Sequence, residues 1–345
     1  MSIVRVRERE RDSNIELLRI IAMFLVLVVH SCYFSLGVPT QQEVIATPIP
    51  SATIIFFQSL SVACVDIFVL ISGWFGIRAK IKSLANFIFQ CLFFSLGIYL
   101  FLIIFGFAEI SYSGIASCFL LLNWNWFIKA YLLLYLVSPI LNAFIEKVSE
   151  RQLKNFIILF YIIHTIYGWI WYKSTTYIEG GSSIISFIGL YLLARYCNLY
   201  KPNFTKLKKS LDCLIIFTLL ISMFIGEFLM LRYLGRNDYM LGNASPFVIM
   251  LSLFTVILFH KIRFKSRLIN FIARSSFAVF LFHTNYHLCH DYFIPTIQEI
   301  YNTYNGISVI TMIFLFLIII YIISIIIDQV RIALFNKFIL PCISK

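Results

Sequence analysis

The chain has 345 residues, of which 61% are hydrophobic and 13% are charged, and its formal net charge is +12. Soluble domains contain about 25% charged residues, so these proportions exclude an ordinary soluble fold. The mean hydropathy is +0.90, and several apolar runs reach the roughly 20 residues that a helix needs to cross a bilayer. The alternating pattern of outer-membrane barrels is absent. We therefore predict an all-α, polytopic integral membrane protein.

The apolar runs predict ten membrane-spanning helices. In chain order these are 15–36, 52–77, 86–106, 126–144, 153–172, 184–199, 210–230, 245–260, 272–292 and 307–335. Between them, no stretch is long enough to fold as a soluble unit. We expect one transmembrane domain over 1–345, with a short basic cytoplasmic tail at 1–14.

Lys and Arg residues predict the orientation, because loops rich in them stay in the cytoplasm. With the N-terminus inside, 24 of the 28 Lys and Arg residues fall on cytoplasmic flanks and loops. The four others are Lys129, Lys173, Arg232 and Arg236. An even number of spans then places both termini inside. Topology and anionic lipid account for the net charge, so no nucleic-acid partner is predicted.

The first span, NIELLRIIAMFLVLVVHS, contains two residues that do not fit an apolar helix, Arg19 and His30. Eleven residues at about 100° each place both side chains on one face, with His30 about 16 Å deeper. Arg19 then lies near the cytoplasmic edge, where snorkelling to lipid headgroups is the alternative to ligand binding. His30 lies near the midplane, where ionisable groups tend to mark a site or pathway. A hydrogen-bonded structural histidine is the alternative.

The second span contains Asp66, which precedes Arg78 by 12 residues and so lies about 18 Å from the cytoplasmic edge, at the depth of His30. Consecutive helices are usual neighbours. We therefore predict a catalytic pair in which the Asp66 carboxylate fixes the tautomer of the His30 ring. A polar pair that only holds two helices together is the alternative. Ser72 and Gly73 would let another backbone or a ligand come close.

Four segments resemble landmark sequences of one known family. They are LLRIIAMFLVLVVH, VDIFVLISGWF, NWNWFIKAYLLLYLVSPIL and SSFAVFLFHT. In that order they resemble the acyltransferase family 3 membrane proteins, over about residues 14–335. The Arg-x10-His spacing and the D-x-F-x-x-x-S-G segment together carry the resemblance.

The resemblance implies a bacterial inner-membrane O-acyltransferase with about ten helices. Such proteins take acetyl from cytoplasmic acetyl-CoA and deliver it to a sugar hydroxyl of a cell-surface glycan. It implies that His30 is the catalytic histidine and that Arg19 is tied to the CoA donor. Without an SGNH-type hydrolase domain, the chain resembles standalone members that act on capsule, O-antigen or related polysaccharides. At 125–128 it departs from the family's His-Leu-Trp-Phe-Leu-like run, so no histidine role is carried over there.

A basic cytoplasmic mouth suits the three phosphate groups of CoA. Arg19, Arg78 and Lys80 would supply this mouth, and Ser72 and Gly73 complete the predicted donor-binding set. A pantetheine arm would then carry the thioester to His30. No permanently bound cofactor is expected, and acetyl-CoA acts as a substrate.

The acceptor, a surface glycan or a lipid-linked oligosaccharide, would come from the other side. Trp126 and Lys129 lie at the outer end of the fourth predicted span. The Trp126 indole is suited to stacking on a sugar ring, and its alternative role is that of a lipid anchor at the membrane interface. His283 lies near mid-depth and would face the same cavity. His283, His287 and His290 share one helical face, but no further ligand accompanies them, so no metal site is predicted.

A transporter or flippase of glycan intermediates is the alternative function, because buried charges also line substrate paths. No inverted or parallel repeat is visible in the sequence, which favours the enzyme. The predicted partners are therefore acetyl-CoA, the glycan acceptor and membrane lipid.

Overall fold

The structure, a computed structural model, describes residues 12–119, 125–171, 178–237 and 239–343. Within these ranges the chain is helical and contains no strand, so the all-α prediction is confirmed for them. Lys173 and most of the predicted basic tail lie outside the described residues.

Sixteen α-helices occur in the described ranges. In chain order they are α1 Ser13–His30, α2 Gln41–Ala46, α3 Pro48–Ser61, α4 Cys64–Phe75, α5 Ile81–Ile104, α6 Tyr112–Phe119, α7 Trp126–Lys147, α8 Glu150–Thr165, α9 Ile184–Tyr200, α10 Lys209–Leu234, α11 Pro246–Lys261, α12 Arg267–Arg274, α13 Ser276–His283, α14 Ile294–Thr303, α15 Ile307–Leu334 and α16 Leu340–Ile343. Short π-helical turns extend or connect several of them, at Ser31–Leu36, Ile166–Ile170, Leu288–Phe293 and Phe335–Ile339.

Seven helical segments in the described part of the chain are long and apolar enough to cross a membrane. They are Ser13–Leu36, Pro48–Phe75, Ile81–Ile104, Trp126–Lys147, Glu150–Ile170, Lys209–Leu234 and Ile307–Ile343. Two shorter apolar helices, Ile184–Tyr200 and Pro246–Lys261, coincide with two more predicted spans. These findings support a multi-pass membrane protein, whereas the count of ten crossings and the orientation remain predictions.

Two of the predicted spans are interrupted. The span 52–77 turns at Val62 and Ala63, between α3 and α4, where the Ser252 hydroxyl donates to the Ala63 carbonyl at 3.2 Å. The span 272–292 is divided between the end of α12, α13 and a π-helical turn. At its first break, the Gln329 amide donates to the Ser275 hydroxyl at 2.9 Å. Side chains from neighbouring helices thus contact the groups at both breaks, as polar groups in a bilayer require.

Helix α4 lies at the centre of the fold, packed against α1, α9 and α11. Gly73 permits the contact with α9, because a Cβ on this residue would lie 2.6 Å from the Tyr191 carbonyl oxygen. Near the C-terminal end of α4 the contact is fastened by the Tyr191 hydroxyl, which accepts from the Ile77 amide at 3.0 Å and donates to Asn142 at 2.7 Å. Helix α1 in turn packs against α3, α4, α12 and α13, so it lies where the candidate site forms.

Candidate active site

A cavity of about 550 Å³ lies between α1, α4, α5, α7 and the α12–α13 segment. Arg19 and Arg274 line the part called the basic end here, where α12 packs on α1 and the Ser266 amide donates to the Ser13 hydroxyl at 2.9 Å. His30, Asn125 and Trp126 line the other end, called the histidine end. The volume falls within the roughly 300–1,000 Å³ of small-molecule sites. Arg19 and His30 belong to one uninterrupted helix, so the eleven-residue interval between them corresponds to about 16 Å along its axis.

At the histidine end, two histidines form a hydrogen-bonded pair. His30 Nδ1 lies 2.8 Å from His283 Nε2, and His283 Nδ1 lies 2.6 Å from the Val279 carbonyl oxygen. A carbonyl only accepts, so the neutral His283 ring carries its proton on Nδ1 and its lone pair on Nε2. His30 must then donate from Nδ1, which leaves the lone pair of His30 on Nε2.

The ring of His30 is held from two sides. It stacks on Phe34 with centroids 4.3 Å apart and planes at 15°, and Phe280 lies at 6.2 Å. His30 lines the cavity, whereas His283 is 1% exposed and lies behind it, outside the cavity wall. This position revises the predicted contact of His283 with the acceptor, because the ring reaches the site only through His30.

The predicted hydrogen bond between Asp66 and His30 is absent from the described structure, and this pairing was wrong. Neither carboxylate oxygen of Asp66 has a hydrogen-bond partner among the described residues. Asp66 precedes Gly73 by seven residues, or about two turns, so it shares the face of α4 that packs on α9. The cavity is lined by a different face of α4, with Val65 and Phe68. Counting residues along α4 does not determine the direction in which Asp66 points around the helix.

At the basic end, Arg19 is held in place by a neighbour on its own helix. Its Nη1 lies 3.0 Å from Glu16 Oε1, and its side chain is 35% exposed. Arg274, the second arginine here, was not among the predicted site residues. The sequence predicts only a cytoplasmic flank for this residue, and the packing of α12 on α1 brings it to the cavity. Two guanidinium groups make this end suited to an anionic ligand.

The model of an acyltransferase domain family matches residues 12–328. The chain belongs to this acyltransferase family. No curated protein and no solved structure matches it. Membership supports an acyltransferase enzyme in a membrane, and the matched region contains every residue that lines the cavity.

Other predicted donor residues of this acyltransferase occupy three different environments. The Ser72 hydroxyl lines the cavity, 3.1 Å from the Tyr131 hydroxyl. Gly73 packs on the backbone of α9, which confirms the close approach of another backbone and leaves no surface for donor. Arg78 and Lys80 are exposed and do not line the cavity.

The backbone of Lys80 is nevertheless tied to the cavity wall. Both its N–H and its carbonyl are hydrogen-bonded to the hydroxyl of cavity-lining Tyr135, at 2.8 and 2.9 Å. The exposed Lys80 side chain therefore starts from a fixed point beside the cavity and is free to contact a ligand that extends past the wall.

The predicted acceptor residues of the acyltransferase separate in the same way. Trp126 lines the histidine end and lies 6.0 Å from the Phe187 ring, whereas Lys129 is exposed and outside the cavity wall. Asn125, where the family pattern differs, lines the cavity and caps α7 by accepting from the Phe127 amide at 3.1 Å. Its amide nitrogen therefore remains a donor at the histidine end.

The described residues contain no cluster of three or more His, Cys, Asp or Glu side chains suited to a metal ion. The single face predicted for His283, His287 and His290 does not form, because the helix turns after His283. His287 instead lies 3.5 Å from Asp291. Among the residues that line the cavity, His30 can transfer a proton, and Ser72, Tyr131 and Asn125 can form hydrogen bonds.

Asn86 and Gln90 of α5 also line the cavity, and sequence reasoning missed them. A signal was present, since two amides at i and i+4 inside an apolar span share one helical face. Their partners on the last long helix are distant in sequence, so their role emerges only from the fold.

Proposed function

We propose that this acyltransferase transfers an acetyl group from cytoplasmic acetyl-CoA to a hydroxyl of a cell-surface glycan, in the inner membrane of a bacterium. The acceptor belongs to a capsule, an O-antigen or a related polysaccharide, or to a lipid-linked precursor of one. One observation carries the proposal: a single cavity has two arginines at one end and an oriented histidine at the other.

The donor occupies the cavity lengthwise. Its phosphates contact Arg19 and Arg274, where charge-assisted and bidentate hydrogen bonds are available. Its pantetheine arm then extends about 16 Å along α1, which brings the thioester to His30. The free Nε2 of His30 meets the reacting atoms, because Nδ1 is occupied by His283.

His30 acts as the general base. The acceptor O–H gives its proton to His30 Nε2, and the oxygen attacks the thioester carbonyl carbon. The C–S bond of the tetrahedral intermediate then breaks, its electron pair goes to sulfur, and the imidazolium returns the proton so that CoA leaves as a thiol. His283 serves as a positioning residue that accepts the Nδ1–H of His30 throughout.

Trp126 and Asn125 form the acceptor side of the site. The indole offers a flat apolar surface for a sugar ring, and the Asn125 amide offers a hydrogen-bond donor. Both residues line the cavity next to His30, which supports an acceptor that enters from the histidine end.

The test is the acetyl content of surface glycan from a deletion strain, measured by NMR. We expect the O-acetyl signals to disappear on deletion, to return with the wild-type gene, and to stay absent with His30→Ala. His287→Ala, a histidine outside the cavity wall, is the matched control and should restore acetylation. Normal ester content together with altered glycan export would support the transporter alternative and reject the proposal.

A further inference from the structure

A buried ion pair lies behind the cavity, near the C-terminal end of α15. Arg331 and Asp328 form two parallel hydrogen bonds, Nε to Oδ1 at 2.8 Å and Nη2 to Oδ2 at 2.9 Å. Their side chains are 3% and 0% exposed. Burying two charges is costly, and such pairs are weak evidence of added stability, so this pair calls for another role.

The pair extends to two amides on α5. Arg331 Nη1 donates to Asn86 Oδ1 at 2.7 Å, and Gln90 Nε2 donates to Asp328 Oδ1 at 3.0 Å. Both amide residues line the cavity, while Asp328 and Arg331 do not. The ion pair therefore contacts the cavity only through Asn86 and Gln90.

The charges of Arg331 and Asp328 determine which amide atom of Asn86 and of Gln90 remains available to a ligand. A guanidinium only donates, so Asn86 must present its oxygen to Arg331 and keeps Nδ2 free. A carboxylate only accepts, so Gln90 must present its nitrogen to Asp328 and keeps Oε1 free. The cavity wall thus carries a hydrogen-bond donor at Asn86 and an acceptor at Gln90, about 6 Å apart along α5.

We propose that Asn86 and Gln90 bind the two secondary amides of the donor's pantetheine arm. Asn86 Nδ2 donates to one amide carbonyl, and Gln90 Oε1 accepts from the N–H of the next amide. Two such amides joined by two methylene groups match a donor and an acceptor about one helical turn apart. Asp328 and Arg331 are positioning residues that prevent either amide from rotating. This inference rests on the proposed use of acetyl-CoA.

The test compares two ligands on the purified full-length protein in lipid nanodiscs, by calorimetry. CoA contains the pantetheine arm, whereas 3′,5′-ADP, its nucleotide end, lacks it. We expect Asn86→Leu and Gln90→Leu each to raise the Kd of CoA by about 2- to 10-fold, the usual effect of one neutral hydrogen bond. The Kd of 3′,5′-ADP should not change.

Gln298→Leu is the matched control, since this α14 amide donates to the Ser35 carbonyl and does not line the cavity. Arg331→Met tests the positioning role. It should raise the Kd of CoA, and adding Asn86→Leu to it should have little further effect. Thermal unfolding of each variant identifies any that fails to fold, and the single Asn86 and Gln90 variants retain the ion pair.

Three outcomes would overturn the inference. Equal losses of affinity for CoA and for 3′,5′-ADP would mean that the variants disturb the whole cavity. Unchanged affinity for CoA would mean that the pantetheine arm does not contact Asn86 and Gln90. In both cases the wild type still binds CoA, so the proposed function stands. A wild type that binds neither ligand would overturn the proposed function as well.

Discussion

In His30, the ring nitrogen Nδ1 is engaged in a hydrogen bond, and Nε2 is available to a ligand. Two hydrogen bonds, from His30 to His283 and from His283 to the Val279 carbonyl, fix this state, and neither acceptor is a charged group. A carboxylate would stabilise a protonated ring by its full charge, whereas His283 offers only a dipole. The site therefore depends on orientation, which makes its geometry sensitive to small changes in either ring.

Replacing His30 and Arg19 should give opposite kinetic signatures. His30→Ala removes the general base, so kcat should fall by about 10²- to 10⁴-fold with little change in the KM for acetyl-CoA. Arg19→Ala removes a charge-assisted contact of the bound donor, so the KM should rise by about 10- to 100-fold and excess donor should restore most of the rate. Titration of acetyl-CoA with protein in liposomes measures both. The roles are reversed if donor rescues His30→Ala and not Arg19→Ala.

His283→Ala should lower kcat by about 10-fold or more and leave the KM for acetyl-CoA unchanged, because His30 can then rotate or change tautomer. His283→Gln keeps an acceptor for the Nδ1–H of His30 and should recover part of the rate. In a His30→Ala background, His283→Ala should add little, since coupled residues are not additive. Full additivity in this cycle would argue against the pair, and His287→Ala, which should retain full activity, serves as the control.

Sequence reasoning could identify Arg19 and His30 because both lie on one helix, where spacing defines the relative direction of side chains. It could not select the partner of His30, since Asp66 and His283 lie on other helices at similar depth. Depth follows from the residue count along one helix, whereas direction depends on how each helix is rotated in the bundle. The same limit explains why Asn86 and Gln90 were missed.

At the scale of elements, the contact between α4 and α9 determines which face of α4 meets the cavity. Gly73 and Tyr191 approach so closely that a side chain has no room between them. The long helices were predictable from the apolar runs, whereas the short helices α2, α6, α14 and α16 lie outside every predicted span. The breaks at Val62–Ala63 and at Ser275 were not predictable, because the side chains that contact them, Ser252 and Gln329, come from distant parts of the chain.

Gly73→Ala should lower the free energy of unfolding by about 1–3 kcal/mol, because the new methyl group overpacks against the α9 backbone. Gly97→Ala in α5 is the matched control, since a Cβ there meets nothing within 4 Å. Alanine favours a helix over glycine by about 0.5–1 kcal/mol, so the control should be slightly stabilised. Thermal unfolding in detergent measures both, and equal shifts for the two variants would contradict the packing argument.

The short helix α2, outside the membrane-spanning segments, should respond to pH. The Thr40 backbone N–H, at 2.7 Å, and then the Thr40 hydroxyl lower the pKa of Glu43 below its usual 4.5. A carboxylate whose pKa is lowered on folding stabilises the folded state above 4.5, and this contribution disappears as the pH falls through the lowered pKa. Amide protection of α2 should therefore decrease in acid.

Glu43→Gln is the control for α2, because glutamine completes a capping box without titrating. Its protection factors, from hydrogen exchange at several pH values, should show no acid-dependent loss. An identical acid response in the wild type and in Glu43→Gln would assign the effect to another group.

At the scale of the whole molecule, ten crossings would use the seven long segments, the two shorter helices and the divided 272–292 region. Reporter fusions after Lys209 and after Arg267 should both read cytoplasmic, and a fusion after Gly181 should read external. The physical reason is the retention of Lys and Arg on the cytoplasmic side. A reversed signal at any of these points would contradict the predicted count.

The charge distribution predicts this topology without a structure, because the pattern of Lys and Arg is read from sequence position alone. The cavity was not predictable in the same way, since it forms where segments from five parts of the chain meet. The sequence could indicate that both ends of α1 matter and that an anion suits one of them. It could not show which later helices supply the remaining wall.

The fixed interval between Arg19 and His30 makes α1 a molecular ruler. On the proposed mechanism, a donor is active only if its anchoring phosphates and its reactive carbonyl are about 16 Å apart. Acetyl phosphate, whose charge adjoins the acyl group, falls short of this length. In a thioester with a shortened arm, the phosphates would bind the arginines but the carbonyl carbon would not reach the histidine. Selection by length would thus protect the site from smaller activated acetyl compounds, with no need to recognise the acetyl group itself.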